Sequence, residues 1–145
     1  MAAQDPGEQT DNTIALLGRA YSLLGFKIVD GVVGAGFPQK PSHSAVFSQI
    51  RPEGSRLSEL ARCANITAQA MGELVDELEA MQYVIRRPDP TDRRAKLIVL
   101  TPKGRACIAA AIVTIEGIEE QISQTLGADG HQQLRNLLQK LTNAG

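Results

Sequence analysis

A chain of 145 residues with 43% apolar side chains can bury one sizeable core, and its net charge of −1 gives it no overall pull toward polyanions. No apolar run approaches the roughly 20 residues of a membrane span, and the first residues lack the basic-then-apolar order of a secretory signal. Cys63 and Cys107 have neither metal-ligand spacing nor neighbouring histidines, so the pair excludes a zinc module and fits a reducing cytoplasm.

Residues 1–10 read as a disordered lead-in. After Asp11, which can cap a helix, Ile14, Leu17, Tyr21, Leu24 and Ile28 recur at spacings of three and four, with Leu16, Ala20 and Leu23 as a second stripe. A helix apolar over that much of its circumference is either deeply buried or shared with another chain. It fails within Gly31–Gly36, where three glycines disfavour helix. This glycine cluster is not a dinucleotide loop, because a helix and not a strand precedes it. Ser42 then caps a short helix with Val46, Phe47 and Ile50 inward.

After the turn Arg51-Pro52-Glu53-Gly54, Ser58 opens a helix to Ala64. Asn65 can end it in a left-handed conformation, and Thr67 caps the next helix, which buries Met71, Leu74, Val75, Leu78 and Met81. Two short helices across a tight turn form a helix-turn-helix pattern. Val84–Arg87 and Lys96–Leu100 read as strands joined by a long tip, Pro88–Asp92, with Arg93 and Arg94 where the tip turns back. Between residues 83 and 105 stand seven basic residues (Arg86, Arg87, Arg93, Arg94, Lys96, Lys103, Arg105) against Asp89 and Asp92, a local charge of +5. The rest of the chain must therefore carry −6, and a basic projection on an acidic body points to a polyanion partner. Thr101-Pro102 starts a long helix with Ala111, Ile112, Ile115, Ile118, Ile122 and Leu126 on one stripe, closed by Gly127. From Asp129 a last helix turns Leu134, Leu137, Leu138 and Leu141 inward.

This order, with Leu57-Ser58-Glu59-Leu60-Ala61, Arg86-Arg87-Pro88-Asp89-Pro90, Asp92-Arg93-Arg94 and Leu100-Thr101-Pro102-Lys103-Gly104, resembles the MarR family of winged-helix transcriptional regulators from Asp11 to the C-terminus. The resemblance implies a mainly α fold with a small β-hairpin wing, a winged helix-turn-helix set in an intertwined helical homodimer. It divides the chain into a dimerisation helix and connector (11–41), a DNA-binding lobe (42–101) and C-terminal dimerisation helices (102–145), one structural domain overall. It further implies a repressor on a pseudo-palindromic operator in double-stranded DNA, released by a small aromatic or anionic effector, with no cofactor, metal or membrane involved.

By the same resemblance, the helix from Thr67 would enter the major groove and the Asp92–Arg94 wing an adjacent minor groove. Gln69 would read adenine, Ala68 and Ala70 would touch thymine methyls, Thr67 would face a phosphate and Glu73 would accept from cytosine or face solvent. Arg94 would take the minor groove, Arg93 and Lys96 phosphates, and Asp92 would shape the wing by accepting from Arg86 or Arg94 or by bonding its own backbone. Arg56 and Arg62 are weaker phosphate candidates. Two departures stand out: the recognition helix has no Lys or Arg, and Gln82 stands where relatives usually have glycine. Tyr21, Phe26, His43 and Phe47 are the candidate effector residues. Two other readings remain: a dimeric adaptor that binds protein through the acidic Glu73, Asp76, Glu77 and Glu79, and a regulator that senses oxidants through Cys63 or Cys107. An enzyme is not indicated, since the chain has no nucleophile–base signature, phosphate loop or metal cluster.

Overall fold

The computed structural model describes residues 11–145, and the lead-in expected at residues 1–10 lies outside them. The element order is α1 (Thr13–Gly34), a 3-10 turn (Pro41–His43), α2 (Ser44–Phe47), α3 (Leu57–Ala64), α4 (Ala68–Ala80), β1 (Val84–Asp89), β2 (Asp92–Leu100) and α5 (Pro102–Asn143). None of these helices is long and apolar enough to cross a membrane. The chain divides into two compact units, Val29–Ala111 and a second made from the segments up to Ile28 and from Ile112 onward.

The Val29–Ala111 unit holds most of the buried apolar side chains among the described residues. Val32, Val46, Leu60, Met71, Val75, Leu78, Tyr83, Val84 and Ile98 are at most 1% exposed. The turn between α3 and α4 follows its residues closely. Asn65 is left-handed at φ 55°, ψ 45°, a conformation its short polar side chain tolerates. Thr67 Oγ1 accepts the Ala70 N–H at 3.1 Å and satisfies one free donor of the next helix. The start of α3 differs from expectation. Arg56, not Ser58, holds the N-cap position and makes no side-chain capping bond, so Ser58 lies inside the helix. The cause is the residue before it: Ser55 exchanges two backbone bonds with Ile98 of β2, at 3.0 and 2.8 Å, which fixes the chain just ahead of the helix. Gly54 permits that approach, because at φ +104° a Cβ would press on Val99 Cγ2 and the Ile98 carbonyl.

The Leu-Thr-Pro-Lys-Gly stretch works as a latch between the hairpin and α5. Thr101 N–H donates to the Tyr83 carbonyl at 3.0 Å, and its hydroxyl donates to the Gln82 carbonyl at 2.6 Å while accepting the Gly104 N–H at 3.1 Å. Gly104 has no substitute here, since a Cβ would collide with the Tyr83 carbonyl. Lys103 Nζ donates to the Met81 carbonyl at 2.9 Å and sits 4.7 Å over the Tyr83 ring.

In the second unit, Asn12 and not Asp11 caps α1, through a 2.9 Å bond to the Ala15 N–H; Asp11 pairs with Arg19 instead. Gly127 takes φ 78°, ψ 158° and breaks α5 where the sequence places a stop. Glu119 receives His131 Nε2 at 2.9 Å and Arg135 Nη1 at 3.3 Å from beyond that break. Much of the unit's apolar surface is uncovered: Ile14 is 82% exposed, Tyr21 74%, Val113 68% and Leu137 64%.

Candidate nucleic-acid interface

β1 and β2 pair antiparallel from Val84↔Leu100 to Asp89↔Asp92, with an irregularity at Pro88/Asp89. The tip is therefore two residues, Pro90 and Thr91, and not the five expected; Arg93 and Arg94 lie on the strand itself. Asp89 explains the short turn. Its Oδ1 accepts both the backbone N–H and the hydroxyl of Thr91 at 2.8 Å, closing a side-chain turn. Its Oδ2 takes Arg56 Nε at 2.9 Å and Nη2 at 2.7 Å. The Thr91 N–H, the Thr91 hydroxyl and the Arg56 guanidinium, in that order, hold this buried carboxyl down at about 2. Pro88 is tolerated because β1 pairs on one side only.

Asp92 Oδ1 accepts the Arg94 backbone N–H at 3.1 Å, so of the roles open to it the local turn is the one observed. Arg86 does not reach it. Its guanidinium forks onto α4 instead, Nη2 to Asp76 at 2.7 Å and Nη1 to Glu79 at 2.9 Å. Arg93, Arg94 and Lys96 are exposed, and their charged groups form no ion pair among the described residues. On α4, Thr67, Ala68, Gln69 and Glu73 are exposed and Ala70 is half-buried. Gln82 adopts φ +67°, the strained left-handed state its sequence position foreshadows.

The acidic run on α4 is largely engaged within the lobe. Glu77 takes Lys40 Nζ at 2.8 Å and His43 Nε2 at 2.7 Å, and these partners, Lys40 first, lower its carboxyl below the usual range. His43 is fully buried; its Nδ1 accepts the Lys40 N–H at 3.1 Å, which puts the ring proton on Nε2, facing Glu77. Tyr83 donates its hydroxyl to the Pro38 carbonyl at 2.7 Å and meets Phe47 edge-on at 5.6 Å. The segment 38–43 is thus tied to α4 and the residues just after it. Sequence reasoning did not find this tie, because its partners lie more than 30 positions apart.

Of the candidate effector residues, His43 and Phe47 are packed in this lobe, whereas Tyr21 and Phe26 are exposed on α1 in the second unit. Cys107 is buried and its thiol is pushed up to about 11 by that burial, while Cys63 is exposed. Among the described residues no group of three His, Cys, Asp or Glu side chains could hold a metal ion.

Comparison with known proteins agrees with this fold. A family model described as MarR family matches residues 40–95. The transcriptional regulator HosA of Escherichia coli O111:H- is 26% identical over 105 residues, 72% of this chain and 78% of its own. The structure of the transcriptional repressor CouR bound to a 23-mer DNA duplex superposes with a TM-score of 0.77 at 25% identity, covering 97% of this chain and 99% of CouR. CouR from Rhodococcus jostii RHA1 bound to p-coumaroyl-CoA gives a TM-score of 0.72 at 26% identity, over 96% and 95% of the two chains.

Proposed function

We propose that this chain, similar to MarR-family transcriptional regulators, is a DNA-binding homodimeric repressor that holds a pseudo-palindromic operator and releases it when a small effector binds. The observation that carries this reading is the wing: Arg93, Arg94 and Lys96 stand exposed, without an ion pair among the described residues, on a strand whose hairpin is tied to both α3 and α4. Unpaired cations on a fixed projection suit a narrow minor groove, where negative potential is concentrated. In this reading Arg94 enters the groove, and Arg93 and Lys96 hold phosphates. Thr67, Ala68, Gln69 and Ala70 face the major groove, with Gln69 as the base reader. Arg86 and Asp92 serve the shape of the wing, and Glu73 stays in solvent.

The uncovered apolar side chains of α1 and α5 support the homodimer, in which residues 11–41 and 102–145 supply the shared helices. Two lobes on one face of B-DNA then need half-sites about one helical turn apart. CouR is described as a repressor bound to a DNA duplex in one structure and bound to p-coumaroyl-CoA in another, which supports both repression and an effector for this chain. Phe47, edge-on to Tyr83, and His43, bonded to Glu77, are the candidate effector residues within the DNA-binding lobe. The adaptor reading loses its support, because Asp76, Glu77 and Glu79 are held by Arg86, Lys40 and His43. Thiol sensing finds none at Cys107, whose high pKa keeps it protonated near neutral pH.

The test is a fluorescence-anisotropy titration against the DNA flanking the protein's own gene. Binding at low salt that weakens steeply with added salt is the expected result, the slope reporting the phosphates neutralised. Salt-independent binding, or none at low salt without effector, would remove the proposal.

A further inference from the structure

Arg56 has no place in the interface just described, yet it meets the least exposed carboxylate of the wing. It occupies the N-cap position of α3 without capping it, and spends its guanidinium on Asp89 through two bonds of 2.9 and 2.7 Å. The other oxygen of Asp89 closes the turn at Thr91, from which β2 returns through Asp92, Arg93 and Arg94. One carboxylate therefore joins the helix-turn-helix to the wing tip, with both oxygens in use and 6% of the residue exposed.

We infer that Arg56 is a positioning residue for DNA recognition: by gripping Asp89 it sets the direction of the wing turn and thereby the place of Arg94. It is not a phosphate contact. The inference rests on the wing reading above and adds the residue that aims it. A guanidinium suits this task because its planar fork reaches one carboxylate through two N–H groups, fixing an angle as well as a distance. A lysine would supply charge without that angle.

The two roles predict opposite signs for Asp89→Asn. That change removes a negative charge from a DNA-facing wing, so electrostatics alone would tighten binding. It also weakens the grip on Arg56, so the positioning role predicts looser binding, by about threefold or more. The experiment measures anisotropy of wild type, Asp89→Asn, Arg56→Ala, Arg94→Ala and the Arg56→Ala/Arg94→Ala double variant on one duplex at one salt concentration. Circular dichroism confirms that each is folded at the assay temperature. The expected result is that Asp89→Asn and Arg56→Ala both weaken binding, and that Arg56→Ala costs little once Arg94 is gone. Tighter binding by Asp89→Asn, additive losses in the double variant, or wild-type affinity in Arg56→Ala would each overturn the positioning role and leave the wing reading standing. Should Arg94→Ala itself bind like wild type, the wing reading fails and this inference with it.

Discussion

The recognition helix and the wing sit in the same lobe and divide charge in opposite ways. α4 carries no Lys or Arg, and three of its four acidic side chains in the 73–79 stretch serve as anchors for Arg86, Lys40 and His43. The wing has its acidic residues turned to its own backbone and to Arg56, which leaves the cations of β2 outward. Acidic groups on α4 thus position the lobe, and basic groups on β2 face the solvent where DNA would lie. For the proposed regulator, affinity then comes mainly from the wing and direct base readout from a few neutral side chains.

The sharpest way to break that comparison is to strip the wing. Arg93→Ala with Arg94→Ala should weaken binding on the order of a hundredfold and reduce the salt slope by about two. An unchanged slope would mean that these residues meet no phosphate. Next in size, Gln69→Ala should cost about 1–3 kcal/mol at one base pair per half-site, leaving random duplexes unaffected. Equal losses on specific and random DNA would show that Gln69 reads no base.

Between the two regions lies Gln82, and there the expected effect is smaller and favourable. Gln82→Gly relieves the left-handed backbone and should raise stability by up to about 1 kcal/mol, seen as a higher urea midpoint with the same slope. A lower midpoint would place the strain elsewhere. Last is the acid limb. Asp89 is held at about 2 against an ordinary 3.8, so its contribution is complete above 3.8 and is lost as pH falls toward 2. Asp89→Asn should flatten the stability profile in that window, and an unaltered profile would show that the Thr91 and Arg56 contacts do not form in solution.

How much of this was legible depended on sequence distance. The α3–α4 turn could be read directly, since Asn65 and Thr67 carry their preferences within a few residues of where they act. The break at Gly127 and the Thr101 cap of α5, which accepts the Gly104 N–H, were visible for the same reason. The wing tip was misjudged because its length is set by Asp89, whose side chain closes the turn that a run of turn-forming residues left open. Sequence alone matches Arg86 to Asp92 and Arg56 to a phosphate because the acidic partners they meet lie 7 to 33 positions away. Buried His43 is the extreme case. Its role comes entirely from Glu77 and the Lys40 backbone meeting it in the fold.

The most direct measurement is a hydroxyl-radical footprint on the operator, which reports minor-groove access nucleotide by nucleotide. The account predicts two protected minor-groove patches related by a dyad, flanking the major-groove contacts of the two recognition helices, and both vanish in the Arg93→Ala/Arg94→Ala protein. Minor grooves left open by the wild-type protein while it is fully bound would contradict it.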